Sequence, residues 1–201
     1  MSGPQPVDMH ISDVRDRTMI VLLFGPNCTG KSTVGKDLAG MLPRCAFIEV
    51  DVLRYMVVGG LVAYSAGVHP TQQPDEYKRQ CRLAVGNAVR LAHGFAEYGF
   101  SSVIEGLEDE CRPGDEWAER NFPAFTVANV AMTCDEIELT KRWTERGWGN
   151  RLPEVVRDSL QWYRDNASRF DIVVDTTHDP PEVNTSKVAG ELQTRYLRRE
   201  L

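Results

Sequence analysis

The sequence predicts an α/β protein, a five-stranded parallel sheet covered by helices on both faces. Three observations predict it. Apolar runs of four to seven residues recur between helical patterns. Residues 75 to about 97 carry Tyr77, Cys81, Ala84, Ala88, Leu91 and Phe95 at steps of three and four, which makes one long amphipathic helix. The first apolar run ends in the glycine-bearing stretch GPNCTGKST, where a strand turns into a helix.

Taken in order, the strands are residues 19–24 (MIVLLF), 46–50 (AFIEV), 101–105 (SSVIE), 126–132 (TVANVAM) and 171–175 (DIVVD). A helix starts after Asp135, whose carboxylate can cap its first turn with Glu138 three residues on. It carries Leu139, Arg142, Trp143 and Arg146. The stretch Gly147-Trp148-Gly149-Asn150 breaks it, and Pro153 suits the first turn of a following helix bearing Val156, Leu160, Tyr163, Ala167 and Phe170. Two helices joined by a glycine-hinged tip make a lid around residues 142–153. A last helix, about 183–198, follows Pro180-Pro181. Two aperiodic stretches, 59–74 and 107–123, are long for connections, and long loops in a compact domain are more often functional than idle.

With 201 residues, of which 42% are hydrophobic, the chain has material for one core. The expected organisation is a flexible segment 1–17 followed by a single domain, 18–201. A net charge of −6 argues against a broad basic footprint for nucleic acid or an anionic membrane surface. The five cysteines, Cys28, Cys45, Cys81, Cys111 and Cys134, show no metal-ligand spacing and suit reduced thiols in a cytoplasm. Residues 1–17 lack an apolar export signal, and the run 19–24 is too short to cross a bilayer.

The spacing Gly25-x-x-x-x-Gly30-Lys31-Ser32 fits the phosphate-binding P-loop. Its amides, from Gly25 through Pro26, Asn27, Cys28, Thr29 and Gly30 to Thr33, would cradle phosphates, with Lys31 reaching the terminal ones and Ser32 on Mg²⁺. The helix N-terminus adds its dipole. Within the loop, Cys28 sits where amides and lysine can lower a thiol pKa, or is a small inert side chain.

Parallel sheets bind ligands at the carboxyl ends of their strands. Asp51, ending the second strand, is there a general base for an acceptor hydroxyl or else an N-cap for the turn that follows. Arg54, three residues on, clamps a polar substrate group or is a plain surface arginine. Glu105 closes the third strand as a neighbour of Mg²⁺ through water, a substrate contact or half of a salt bridge. Gly106 then lets a substrate approach the backbone. An arginine among Arg142, Arg146 and Arg151 is expected to neutralise a transferring phosphoryl group. Trp143 and Trp148 stack on a base or pack. The acceptor pocket would draw on Arg54, Glu105, Gly106 and the two long loops, notably Tyr64, His69 and Asp109. The acids of residues 108–110 and 115–116 either favour a cationic acceptor or are simply solvated.

With these parts assembled, the chain resembles the small P-loop kinases related to shikimate kinase, gluconate kinase, adenylyl-sulfate kinase and chloramphenicol phosphotransferase. The resemblance rests on the loop 25–33, Asp51-Val-Leu-Arg54, Ile104-Glu105-Gly106, the Arg142/Arg146 helix and Asp175-Thr176-Thr177 with Pro180. It implies a three-layer fold with sheet order 2-3-1-4-5, ATP and Mg²⁺ as cofactors, and Asp51 on the acceptor hydroxyl. It also implies lid arginines on phosphates, and Thr176, Thr177 and Pro180 beside adenine. No Asn-Lys-x-Asp guanine motif appears. The expected activity is ATP-dependent phosphorylation of a small-molecule hydroxyl, with an antibiotic or other secondary metabolite as one acceptor class. The rivals are a nucleoside, nucleotide or polynucleotide 5′-kinase and a non-catalytic ATP-binding switch.

Overall fold

The computed structural model describes residues 18–64, 68, 72–107, 111–113 and 116–197. Five strands, β1 (Met19–Phe24), β2 (Cys45–Glu49), β3 (Ser101–Glu105), β4 (Thr126–Thr133) and β5 (Ile172–Asp175), form one parallel sheet in the order β2-β3-β1-β4-β5. This is the predicted fold. Seven α-helices are present among the described residues: α1 (Lys31–Met41), α2 (Val50–Tyr55), α3 (Asp75–Glu97), α4 (Trp117–Asn121), α5 (Glu136–Glu145), α6 (Glu154–Asp165) and α7 (Pro181–Leu192). None is long and apolar enough to cross a membrane.

Because side chains alternate across a strand, β1 feeds two cores. Ile20, Leu22 and Phe24 face α3, α4 and Tyr163 of α6. Met19, Val21 and Leu23 face Val34 and Leu38 of α1 and Val188 and Leu192 of α7. α1 lies close against the sheet, since a Cβ on Gly35 would stand 2.8 Å from both Leu23 and Phe47 side-chain atoms. A third cluster, Cys28, Cys134, Leu139, Trp143, Leu152, Val156 and Leu160, fastens α5 and α6 to the phosphate loop and the end of β4. Fully burying Leu139 and Leu160 contributes about 1.5–3 kcal/mol each.

Several expectations are corrected. α3 has the predicted span, and Cys81, Ala84 and Ala88 of the predicted stripe are buried, but towards its end Ala92 and Ala96 take the buried face while Leu91 and Phe95 are exposed. Small side chains let the helix axis approach the sheet. β2 ends one residue early, so Val50 already belongs to α2. α6 stops at Asp165, and a short 3₁₀ turn, Ala167–Arg169, delivers Phe170 to the core. Pro153 is the residue before α6 and not in its first turn. The last helix begins at Pro181, with proline in its first turn, and ends in a π turn, Gln193–Leu197. The stretch 107–123 contains α4.

Candidate active site

The carboxyl ends of the strands gather the site. β1 runs directly into Gly25, whose φ of 144° and position place a hypothetical Cβ 2.3 Å from the Met132 carbonyl oxygen of β4. Any side chain there would push the loop off the sheet. Thr29 braces the turn by donating its hydroxyl to the Pro26 carbonyl at 2.9 Å. Cys28 and Gly30 have φ of 67° and 91°, curling the backbone before α1 begins at Lys31. Lys31 Nζ donates to the carbonyls of Gly25 and Pro26, both at 2.9 Å, so the ammonium lies across the loop. Burial pushes the Lys31 pKa down, while the carboxylates of Glu105 and Asp51 push it back up. Asn27, Ser32 and Thr33 are exposed.

Beneath this cation, the Ser32 hydroxyl donates to Glu105 Oε1 at 2.9 Å. Glu105 is only 4% exposed. Burial raises its pKa, Lys31 and the Ser32 hydrogen bond pull it down, and Glu49 and Asp51 add to the rise. A hydroxyl beside a buried carboxylate offers hard oxygen donors of the kind Mg²⁺ takes when phosphates complete its shell. Among the described residues no three His, Cys, Asp or Glu side chains cluster into a metal cage.

Asp51 sits in the first turn of α2 with its side chain 64% exposed, and it acts electrostatically on both Lys31 and Glu105. It is not the N-cap. That position is Glu49, because the strand ends earlier than expected. Arg54 is no surface arginine either: its side chain is 2% exposed, and its guanidinium carbon lies 4.6 Å from the Tyr55 ring centroid and 5.0 Å from that of Tyr77. Arg54 Nη1 donates to the Val62 carbonyl at 3.0 Å. Its Nε is buried without a hydrogen bond, 3.9 Å from Asp51 Oδ1 and beyond bonding reach. Tyr64 extends the aromatic row, its ring 5.8 Å from Tyr77. Gln80 pins the segment after α2, donating to Gly60 O at 2.8 Å and accepting from Val62 N at 3.0 Å. Gly106, φ 83°, packs its α-carbon side against Val50.

Arg142 of α5 and Arg146 at its C-terminal end differ. Arg142 Nε donates to Glu138 at 2.9 Å, and its terminal nitrogens donate to the Thr176 hydroxyl and carbonyl at 3.1 and 2.5 Å. The buried Thr176 hydroxyl also reaches the carbonyls of Thr29 at 3.1 Å and Thr133 at 3.0 Å. Arg142 therefore ties α5 to the phosphate loop through one hydroxyl. Arg146 makes no side-chain hydrogen bond or ion pair with any described residue. It lies over Trp148 at 5.3 Å, and its charge acts on both Cys28 and Lys31. The capping box is half formed: Asp135 caps Glu138 N at 2.6 Å, but Glu138 turns to Arg142, and Asp135 N is taken by the Thr177 hydroxyl at 2.8 Å. Trp143 is 1% exposed and donates to the Trp148 carbonyl at 3.0 Å, so it packs; Trp148 is half exposed. Burial raises the Cys28 thiol pKa against the charges of Arg146, Lys31 and Arg142, which favours the small inert side chain over the activated thiol. Arg151 is exposed, and Pro180 precedes α7.

The geometry thus brings Lys31, Ser32, Asp51 and Glu105 within electrostatic reach of one another, with Arg54 beside Asp51 and Arg146 above the loop. His69 and Asp109 lie outside the described residues. Tyr55, Tyr77, Gln80 and the bracing role of Thr29 were not anticipated. The signal for Gln80 was available: an amide four and eight residues before Ala84 and Ala88 on one helix face.

No curated protein sequence matches the chain significantly. Solved structures with the same fold include a tunicamycin resistance protein from Deinococcus radiodurans (14% identity, 88% of this chain and 96% of that one, TM-score 0.61). They include APS kinase from Mycobacterium tuberculosis in complex with AMPPNP and APS (13%, 89% and 99%, 0.58). Shikimate kinase from Aquifex aeolicus is a third (17%, 90% and 99%, 0.56). The model of the chloramphenicol phosphotransferase-like proteins matches residues 18–193, nearly the whole of the sheet and its helices, and the chain belongs to that family.

Proposed function

We propose that the chain is an ATP- and Mg²⁺-dependent phosphotransferase that moves the γ-phosphoryl group to a hydroxyl of a small molecule. The family and the P-loop kinase fold support phosphotransfer. The observation that carries the reading is the convergence of two unlike carboxylates on Lys31: a buried one bonded to Ser32 and an exposed one on α2.

In this reading, the amides of 25–33 hold the phosphates and Lys31 exchanges its two carbonyl partners for phosphate oxygens. Ser32, with Glu105 behind it, would hold Mg²⁺, which when bound offsets negative charge on the phosphates. Asp51 takes the proton of the acceptor hydroxyl as its oxygen bonds to the γ-phosphorus and the bond to the bridging oxygen breaks, releasing ADP. Arg146 neutralises charge on the transferring group. Thr176, Thr177 and Pro180 border the base, with Arg142 in a positioning role. Arg54, Tyr64 and Gly106 bound the acceptor.

The family's description refers to chloramphenicol and one neighbour's to tunicamycin resistance, so hydroxylated antibiotics and secondary metabolites are the first acceptors to test. Free cysteines and use of ATP suit a reducing cytoplasm. The test is a mass-spectrometric screen of hydroxylated compounds with ATP and Mg²⁺ for gain of one phosphoryl group. A phosphorylated product that disappears in Lys31→Ala is expected. ATP binding with no acceptor phosphorylated would instead favour a nucleotide-dependent switch.

A further inference from the structure

A cavity of about 240 Å³ is lined by residues of α3, α4 and the segment that follows β3. Its described walls are Val85, Gly86 and Val89 of α3, Trp117 and Asn121 of α4, and Cys111, with Arg82 at its edge. Arg82, Val85 and Val89 lie five, eight and twelve residues beyond Tyr77, which flanks Arg54. At about 1.5 Å per residue this is roughly 7–18 Å along the helix axis from that side of the site.

The chemistry of the walls is specific. Two valines and an indole form an apolar slot, and Trp117 continues into an aromatic group through Phe122, at 5.9 Å, and on to His93 and Phe125. Asn121 is held in place by its donation to the Trp117 carbonyl at 2.8 Å. Gly86 sits in the interior of α3, where glycine weakens a helix. A Cβ there would meet only Arg90 Nη1 at 3.6 Å, so packing does not demand the glycine, and its missing side chain widens the slot. Arg82, exposed on the same helix, makes no hydrogen bond or ion pair with any described residue. A slot of this volume exceeds the cavity of about 150 Å³ that admits benzene and lies below the roughly 300–1,000 Å³ of drug-sized sites, so it suits a compact ligand of one ring with a polar group facing its edge.

We propose that this cavity is a second small-molecule site, separate from the nucleotide site and set back along α3 from Arg54, for an aromatic carboxylate. The ring lies between Val85, Val89 and Trp117, and the carboxylate faces Arg82. The proposal does not depend on the phosphotransfer reading, because its test is binding alone.

The experiment is saturation-transfer NMR with the full chain and two probes, 4-isopropylbenzoate and its uncharged amide, 4-isopropylbenzamide. The benzoate is expected to bind, to lose at least tenfold in affinity in Gly86→Leu, which fills the slot, and at least fivefold in Arg82→Gln. The protein should bind the amide at least fivefold more weakly, and benzoate binding should persist with saturating AMPPNP. Gly86→Leu raises helix propensity, so its melting temperature should not fall; if that variant fails to fold, Val89→Trp fills the same space. No benzoate binding at millimolar concentration, or unchanged binding when the slot is filled, overturns the site. Equal binding of the amide overturns the charge assignment, and displacement by AMPPNP overturns the separation from the nucleotide site.

Discussion

Replacing Thr176 by valine removes one hydroxyl at the junction of four elements while keeping the side chain's shape. The residue is 2% exposed, and its single hydroxyl proton is shared between Thr29 O and Thr133 O while the oxygen accepts from Arg142. In Thr176→Val the Thr133 carbonyl keeps its bond from Thr176 N, and Arg142 keeps its bond to the Thr176 carbonyl. The Thr29 carbonyl and one Arg142 N–H lose their partner. Arg142 is partly exposed and can turn to water, but leaving the carbonyl of buried Thr29 unsatisfied costs about 1–3 kcal/mol. For a chain of this size each kcal/mol moves the melting temperature by about 2–4 °C, so the drop should be about 2–12 °C. Calorimetry on the two proteins reads it directly. Nucleotide affinity, followed by titration with AMPPNP, should fall as well, because the loop end at Thr29 is no longer anchored. A valine variant that melts within about 1 °C of the parent and binds AMPPNP equally would refute the idea that this hydroxyl organises the loop.

Three further outcomes follow from the same geometry. Arg146→Met should lower kcat by about 10³ or more with little change in melting temperature, whereas Arg142→Met should lower the melting temperature through its lost bonds to Glu138 and Thr176; kinetics and melts on both variants would reverse the two roles if the pattern were opposite. Glu105→Gln, measured without nucleotide or Mg²⁺, should stabilise the fold at pH 8 but not at pH 3.5. The raised pKa of Glu105 means that its contribution is intact below the ordinary glutamate pKa and is lost as pH rises through the folded value; a pH-independent difference in unfolding free energy would contradict this. Finally, the same Gln variant should transfer phosphoryl groups more slowly at limiting Mg²⁺, read as a raised Mg²⁺ requirement, and an unchanged requirement would remove Glu105 from the metal's surroundings.

The sheet was legible because five β-rich apolar runs are each bounded by turn residues, and the phosphate loop because its spacing is strict. The face of α3 was not. Leu91 and Phe95 outrank Ala92 and Ala96 in hydropathy, yet the close approach of helix and sheet selects the alanines. The burial of Arg54 depends on Tyr77, distant in sequence and joined to it only by the fold. The division between Arg142 and Arg146 was equally hidden, since they stand one turn apart at the end of one helix, and only the fold brings Thr176 to the first. Position 51 lies in the first turn of α2, within electrostatic reach of Lys31, but its exposure beside a buried Glu105 emerged only once β2 and β3 were paired in register.

The most direct test of the account compares Asp51→Asn with the parent protein, using an acceptor identified in the screen. AMPPNP affinity should be unchanged within about twofold, and phosphoryl transfer should fall by about 10²–10⁴. Transfer at the parental rate by Asp51→Asn would contradict the assignment of Asp51 as the group that accepts the acceptor's proton.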